Sequence, residues 1–176
     1  MQYVYDSQLI FPIQDAIKQL KESLMKMQQT RLQTECNNKP KLRTFVKFKD
    51  FNALSPHVYK SLSFIERKII SKTRLGVLPL RIETARYLRP ALPEAQRLCY
   101  CNNNAVESEQ HVIYSCVKYV ALRQVWLAKL QKPDNFNDLE VAEKLKLTFN
   151  NPCNIKCTAQ YLVDVMDLRR LLNDQY

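Results

Sequence analysis

The chain has 176 residues, a formal net charge of +10 and an isoelectric point near 9.4. This length predicts one domain, or one domain with a helical arm, and the 46% of hydrophobic residues excludes a disordered basic tail. We find no signal peptide and no apolar run of the roughly 18 residues that a membrane span needs, so we expect no membrane partner, an intracellular (nuclear or cytoplasmic) protein and reduced thiols. The positive charge predicts an anionic partner.

Residues 1–38 predict an amphipathic helical arm. Pro12 suits a first helical turn, and we expect the helix to end between residues 34 and 40. Apolar residues recur at steps of four and three, which is a heptad seam: Ile13, Ile17, Leu20, Leu24 and Met27. Because the seam covers barely two heptads, packing within the domain is the simpler interpretation. Contact with another protein is the alternative.

The whole net charge lies in residues 39–97, for which we predict a basic helical segment. This segment has fourteen Lys and Arg against four Asp and Glu, whereas the flanking segments are each balanced. Aromatic residues are interleaved with the basic ones, and the partial alternation in residues 44–51 is typical of an extended edge segment. A basic stretch with interleaved aromatics favours a nucleic-acid surface.

One helix is predicted from Ser55 to Leu75. Ser55 is placed as its N-cap, with Pro56 at the first helical position. Gly76 stands where a left-handed C-cap belongs, and Pro79 follows it. Being the only glycine, Gly76 also favours helices over a many-turned β architecture.

Phosphate contacts are expected from this helix and from the arginines that follow it. Glu83 precedes Arg86 by three positions, which predicts a local ion pair. Arginine can clamp phosphate with two hydrogen bonds. The candidate nucleic-acid-binding residues are Lys68, Lys72, Arg74, Arg81, Arg86 and Arg89.

Residues 98–120 hold three cysteines and a histidine in an order that suits a metal: Cys99, Cys101, His111 and Cys116. Three thiolates and one imidazole form a complete tetrahedral set for zinc. Buried free cysteines that only pack the core are the alternative interpretation. Five positions are about 500° around an α-helix, so His111 and Cys116 are not expected on one helical face.

The motifs from residue 41 to residue 126 resemble the region downstream of the polymerase in non-LTR retrotransposon reverse transcriptases. The similar stretches are LRTFVKFKDF, SKTRLGVLPLRIETARY, RLCYC, ESEQHVIYSC and KYVALRQVWL. The resemblance implies a CCHC zinc knuckle on those four residues and the polymerase portion as a possible partner. The family usually has two residues between the first two cysteines, and this chain has only Tyr100. We expect Tyr100 to be free to stack on a base.

Residues 121–176 predict C-terminal helices. The first contains Trp126 in the core, the second is capped by Asn137 or Asp138, and the last covers residues 158–173. Cys153 and Cys157 are interpreted as packing residues, since a second metal site would lack ligands nearby.

The predicted fold is mainly α: a helical domain with a small CCHC zinc knuckle formed by a short β-hairpin-like loop. We find no phosphate-binding loop and no paired catalytic aspartates, so we expect a non-catalytic module that binds RNA or DNA with Zn²⁺ as its cofactor. The alternatives are a helical protein-interaction scaffold and an inactive retroelement fragment. A metal-dependent nuclease is the weakest alternative.

Overall fold

The computed structural model describes residues 10–39, 42–49, 53–101 and 103–173. The described residues contain no β-strand, only one isolated antiparallel bridge, so the predicted mainly helical class is confirmed. None of the described helices combines the length and apolar composition that crossing a bilayer requires. In chain order they are α1 (Ile10–Asn37), α2 (Arg43–Phe48), α3 (Pro56–Tyr59), α4 (Phe64–Leu75), α5 (Arg81–Thr84), α6 (Val120–Lys129), α7 (Val141–Phe149) and α8 (Ile155–Asn173).

The chain divides into two compact units, Met1–Asn38 and Lys39–Tyr176. In the first unit, α1 begins two residues before Pro12 and ends at Asn37, as the sequence predicts. Within this unit, the five seam side chains are 46 to 62% exposed. Packing inside the unit therefore does not cover the seam, and its packing within the domain stays a prediction.

The helix α2 corrects the extended segment expected at residues 44–51. Arg43–Phe48 is helical and packs on α4 and α7. Thr44 is buried there, and its hydroxyl donates to the Glu109 carboxylate at 3.3 Å. Alternation is a weak signal over so short a stretch, and here tertiary packing overrides it.

The single helix predicted from Ser55 to Leu75 is wrong, because the chain forms two helices there. The extended backbone of Lys60 ends α3, and Ser63 begins α4 with a capping box. The Ser63 hydroxyl accepts from the backbone N–H of Glu66, whose carboxylate accepts from the Ser63 N–H at 2.7 Å. This reciprocal pair satisfies two N-terminal donors, which fixes the start of α4 at residue 64.

The predicted left-handed C-cap at Gly76 is confirmed. Gly76 has φ 67° and ψ 32°, a region that a residue with a Cβ enters at a cost. Its N–H bonds the Thr73 carbonyl, and the Val77 N–H bonds the Lys72 carbonyl at 3.0 Å. These two bonds form a Schellman motif, so the last carbonyls of α4 are satisfied.

The Arg67 guanidinium holds the connection between α3 and α4. It donates to the backbone carbonyls of four residues: His57, Val58, Lys60 and Leu62. The carbonyls at the end of a short helix lack helical partners, and one charged side chain supplies donors to them. The break between α3 and α4 therefore depends on Arg67.

The core of the second unit is built around α8, which packs on α4, α6 and α7. Trp126 of α6 stacks on Tyr161 of α8 with ring centroids 4.4 Å apart. The buried indole N–H of Trp126 donates to the Thr158 hydroxyl at 3.2 Å, so its one polar atom is satisfied. The prediction that Trp126 belongs to the core is confirmed.

Three details of the C-terminal helices differ from the predictions. Glu140 rather than Asn137 or Asp138 caps α7, because it forms a capping box with Glu143. The helix α8 begins at residue 155, three residues earlier than expected. Cys153 is exposed, whereas Cys157 is partly buried against the core.

We expect Arg67→Ala to lower the free energy of unfolding by about 1.5–3 kcal/mol, because several carbonyls lose a charged donor. The neighbouring Lys68→Ala, on the exposed side of α4, should change it by less than about 0.5 kcal/mol. Urea unfolding of the wild type and both variants measures the difference. Equal midpoints for the two variants would contradict the role of Arg67.

Candidate metal centre and basic surface

A tight loop brings Cys99 and Cys101 to one place. The antiparallel bridge joins Leu98 to Val106, and the Cys99 N–H bonds the Ala105 carbonyl at 2.8 Å. Asn104 closes the turn with φ 48°, a left-handed conformation that asparagine tolerates better than most residues. The predicted hairpin-like loop is therefore a tight turn closed by one bridge rather than by two strands.

A π-helical turn brings His111 and Cys116 to the same side. His111–Ser115 is π-helical, and the Cys116 N–H bonds the His111 carbonyl at 2.7 Å. In a π turn the hydrogen bond joins residues five apart, whereas the predicted angle of about 500° between them holds for an α-helix. The prediction that these two residues share no helical face is thus corrected by this wider turn.

The four side chains Cys99, Cys101, His111 and Cys116 are all buried, and their ligand atoms lie within 4.8 Å of one another. The Sγ atoms of Cys99 and Cys116 are 3.8 Å apart, and the Sγ of Cys101 is 3.3 Å from His111 Nε2. A buried set of three thiols and one imidazole at these distances can hold a metal ion. We call it the Cys₃His cluster.

The surroundings of the four groups shift their pKa values in different directions. Burial raises the pKa of the Cys99 and Cys116 thiols. For Cys101 burial also acts to raise the pKa, but hydrogen bonds, first that of the Asn103 backbone, outweigh it and lower the pKa. Burial lowers the pKa of His111, which keeps the imidazole neutral. Cys99 and Cys116 would therefore need the charge of a cation to ionise.

A buried ion pair anchors the cluster to α8. Glu107 is 1% exposed, and its two carboxylate oxygens each accept from the Arg169 guanidinium at 2.8 Å. The same carboxylate accepts from the Arg81 backbone N–H at 2.7 Å. Burial opposes the charge on Arg169, but the bonds to Glu107 outweigh it and raise the Arg169 pKa. Glu107 lies four residues before His111, so the pair fixes the approach to the cluster.

Arg123 of α6 supports the cluster from the other side. Its guanidinium donates to the carbonyl of Ile113 at 2.9 Å and to that of Cys116 at 2.6 Å. The Tyr161 hydroxyl also donates to the Ile113 carbonyl at 2.9 Å. These bonds satisfy carbonyls at the end of the π turn and so hold Cys116 in place. Glu107, Arg123 and Arg169 were not predicted from the sequence, because their partners are distant or backbone groups.

Arg74 is not on the surface, which corrects its placement among the phosphate-binding residues. It is 3% exposed, and its guanidinium donates to the Phe149 carbonyl, the Asn150 amide oxygen and the Ser55 hydroxyl. Burial lowers its pKa to about 10. Ser55 thus binds Arg74 rather than capping α3 through its side chain.

The other arginine and tyrosine candidates lie at or near the surface. Arg86 is half-buried and pairs with Glu83 at 3.1 Å, so the predicted ion pair is confirmed. Tyr100 accepts from the Arg81 guanidinium at 2.6 Å and lies under it, 4.9 Å from ring centroid to guanidinium carbon. Arg89 is exposed. Tyr100 and Arg81 therefore form one unit rather than two independent contacts.

Both lysines that we predicted as phosphate contacts belong to α4. Lys68 is exposed and Lys72 is partly exposed. They are four residues apart, so they lie on one face of the helix, about 6 Å apart along its axis. Neither forms an ion pair with any residue in the described part of the chain.

Comparison of the chain with protein-family models, with curated proteins and with solved structures finds no match.

We expect Glu107→Gln to lower the free energy of unfolding by about 3–5 kcal/mol, because it leaves a buried guanidinium without its counter-charge. The matched control is Asp167→Asn, which removes the carboxylate of an exposed pair with Arg170 and should cost less than about 1 kcal/mol. Denaturant unfolding measures both values. Similar losses in the two variants would show that the Glu107 pair does not stabilise the unit.

Proposed function

We propose that the Lys39–Tyr176 unit is a non-catalytic nucleic-acid-binding module stabilised by one structural zinc ion. The observation that carries this proposal is the buried Cys₃His cluster at the end of a segment that holds the whole net charge. Four protein ligands leave no open position for substrate or water, which is the arrangement of a structural rather than a catalytic zinc site.

The distances within the cluster support zinc as the metal. Zinc–sulfur bonds of about 2.3 Å in a tetrahedron place two sulfurs about 3.8 Å apart. The Cys99 and Cys116 sulfurs are 3.8 Å apart. A zinc–nitrogen bond of about 2.0–2.1 Å gives a sulfur–nitrogen edge of about 3.6 Å. The 3.3 Å between Cys101 and His111 is somewhat shorter, so a small shift would complete the site.

We expect the purified protein to contain about one zinc ion per chain, because a structural site couples metal binding to folding. Cys116→Ser should lose the metal and lower the melting temperature. Cys153→Ser is the matched control, since Cys153 is exposed and outside the cluster. Elemental analysis and thermal unfolding with and without chelator measure both effects. Little zinc in the wild type, with a melting temperature that chelator leaves unchanged, would contradict the proposal.

The distribution of charge supports nucleic acid as the partner. Arg67 and Arg74 bind groups within the fold, but Lys68, Lys72 and Arg89 remain at the surface of the same segment. Phosphate backbones bind such side chains without regard to sequence. We infer sequence-tolerant binding of RNA or DNA. Arg81 and Tyr100 supply an additional contact beside the cluster. The Glu83 ion pair holds Arg86, so its contribution is smaller.

We expect Lys68/Lys72/Arg89→Ala to weaken binding to a labelled oligonucleotide and to reduce the slope of log affinity against log salt by about 2–3, because each phosphate contact contributes about 0.7–0.9. The control is Lys129/Lys132/Lys146→Ala, which removes three exposed positive charges from the neutral C-terminal segment. Fluorescence anisotropy over a salt series measures both slopes. Equal slopes for the two triple variants would show that the basic segment is not the binding surface.

The order of the motifs also leads us to propose that the chain derives from the post-polymerase region of a non-LTR retroelement. On this origin, the protein acts inside the cell, and the polymerase portion of the same polyprotein is its candidate partner.

Contact with another protein is the second candidate function, and α1 favours it. Within its own unit, its apolar seam from Ile13 to Met27 is exposed. A helix in a protein gains most of its stability from packing an apolar face on a partner. If the salt series shows no binding by the wild type, this role becomes the better explanation of the chain.

A further inference from the structure

A groove of about 320 Å³ lies between α4 and α8. Its volume is at the lower end of the range for small-ligand sites. Ile65 and Ile69 of α4, Leu78 after the Schellman turn and Met166 of α8 line it with apolar surface. The groove belongs entirely to the Lys39–Tyr176 unit.

Phe64 also lines this groove and is 78% exposed. It is the first residue of α4, whose start is already fixed by the Ser63 capping box, so Phe64 is not needed to begin the helix. The next residue, Ile65, is 62% exposed. Burial in the core therefore explains neither side chain, and an exposed aromatic beside a concave apolar surface indicates a binding site.

The rim of the groove is positively charged. Lys68 and Lys72 line one side, and Arg170 lines the other with its ion-pair partner Asp167. The Lys68 ammonium is 5.8 Å from the centroid of the Phe64 ring. The groove thus combines an aromatic ring, an apolar floor and three cations against one carboxylate.

This combination suits an unpaired nucleotide better than a duplex. Single strands bind proteins by stacking bases on aromatic rings while cations contact the phosphates. In a duplex the base faces are stacked on one another, so the exposed ring and the apolar floor would have no partner. An acidic amphipathic peptide is the competing ligand. The three cations against one carboxylate at the groove favour the polyanion.

We propose that the α4–α8 groove binds single-stranded nucleic acid, with an unpaired base on Phe64 and the adjoining phosphates at Lys68, Lys72 and Arg170. This inference rests on the nucleic-acid function proposed above and specifies its ligand class. It adds Phe64 and Arg170 to the contacts, neither of which the sequence motifs indicate.

The test compares an unstructured 20-nucleotide strand with a duplex of the same sequence, using anisotropy on the full zinc-loaded chain. Because stacking of one base on an aromatic ring contributes to affinity, Phe64→Ala should weaken single-strand binding by about fivefold or more. Duplex binding should not change. Phe64→Tyr, which keeps the ring, should bind like the wild type. Tyr59→Ala is the matched control, because Tyr59 is 52% exposed on the same basic segment but outside the groove.

A second measurement reports on the base directly. Phe64→Trp places a fluorescent ring at the groove, and the single strand should quench its emission while the duplex should not. The native Trp126 is buried and provides a constant background that the wild type measures. Circular dichroism of each variant confirms that the fold is retained.

The possible failures can be told apart. If Phe64→Ala binds the single strand like the wild type, or the Phe64→Trp emission is not quenched, the groove proposal is overturned. In that case a loss of affinity in Lys68/Lys72/Arg89→Ala would still support the general nucleic-acid function. If the wild type binds neither nucleic acid, both proposals fail. Phe64-dependent binding of an acidic amphipathic peptide, without nucleic-acid binding, would assign the groove to a protein partner.

Discussion

The Glu107 carboxylate joins three parts of the second unit. It accepts both hydrogen bonds of the Arg169 guanidinium, which fixes the position of α8. It also accepts the backbone N–H at the start of α5. The backbone of Glu107 also takes part, since its N–H donates to the Arg97 carbonyl and its carbonyl accepts from the Ile82 N–H. A buried carboxylate without these partners would be costly, so α5, α8 and the loop before His111 stabilise one another through Glu107.

The Cys₃His cluster depends on this arrangement for its geometry. The bridge between Leu98 and Val106 positions the first two cysteines, and the π turn positions His111 and Cys116. Glu107 lies between these two elements in the chain and holds them against α8. The cluster is thus built on a loop and a turn that would each be weak in isolation. A bound metal and the buried ion pair would stabilise the same region by independent interactions.

Only part of the formal charge of the basic segment lies at the surface, where it is available for binding. Several of its arginines donate to groups within the fold: Arg67 to the α3–α4 connection, Arg74 to the end of α7 and Arg97 to the carbonyls of Ile82 and Leu92. Arginine suits these roles, because its planar group offers five donors and stays charged when partly buried. The lysines of α4 are different, since their charge remains at the surface. Counting charges along a sequence does not separate these two uses.

The sequence by itself determined the features that local chemistry decides. The Gly76 C-cap followed from the need for positive φ, the Glu83–Arg86 pair from helical spacing, and the helix around Trp126 from apolar periodicity. The four residues of the cluster were also found from their types and order alone, because few other arrangements place three cysteines and a histidine within eighteen positions.

Tertiary structure decided the features whose partners are distant in sequence. Residue spacing wrongly excluded His111 and Cys116 from one helical face, because the π turn that unites them has no signature in the sequence. Arg74 was placed on the surface because its hydrogen-bond partners Phe149 and Asn150 lie about 75 residues away. The same holds for Glu107 and Arg169, which are 62 residues apart. A buried ion pair leaves no periodic pattern, so only the packing of α8 against the cluster reveals it.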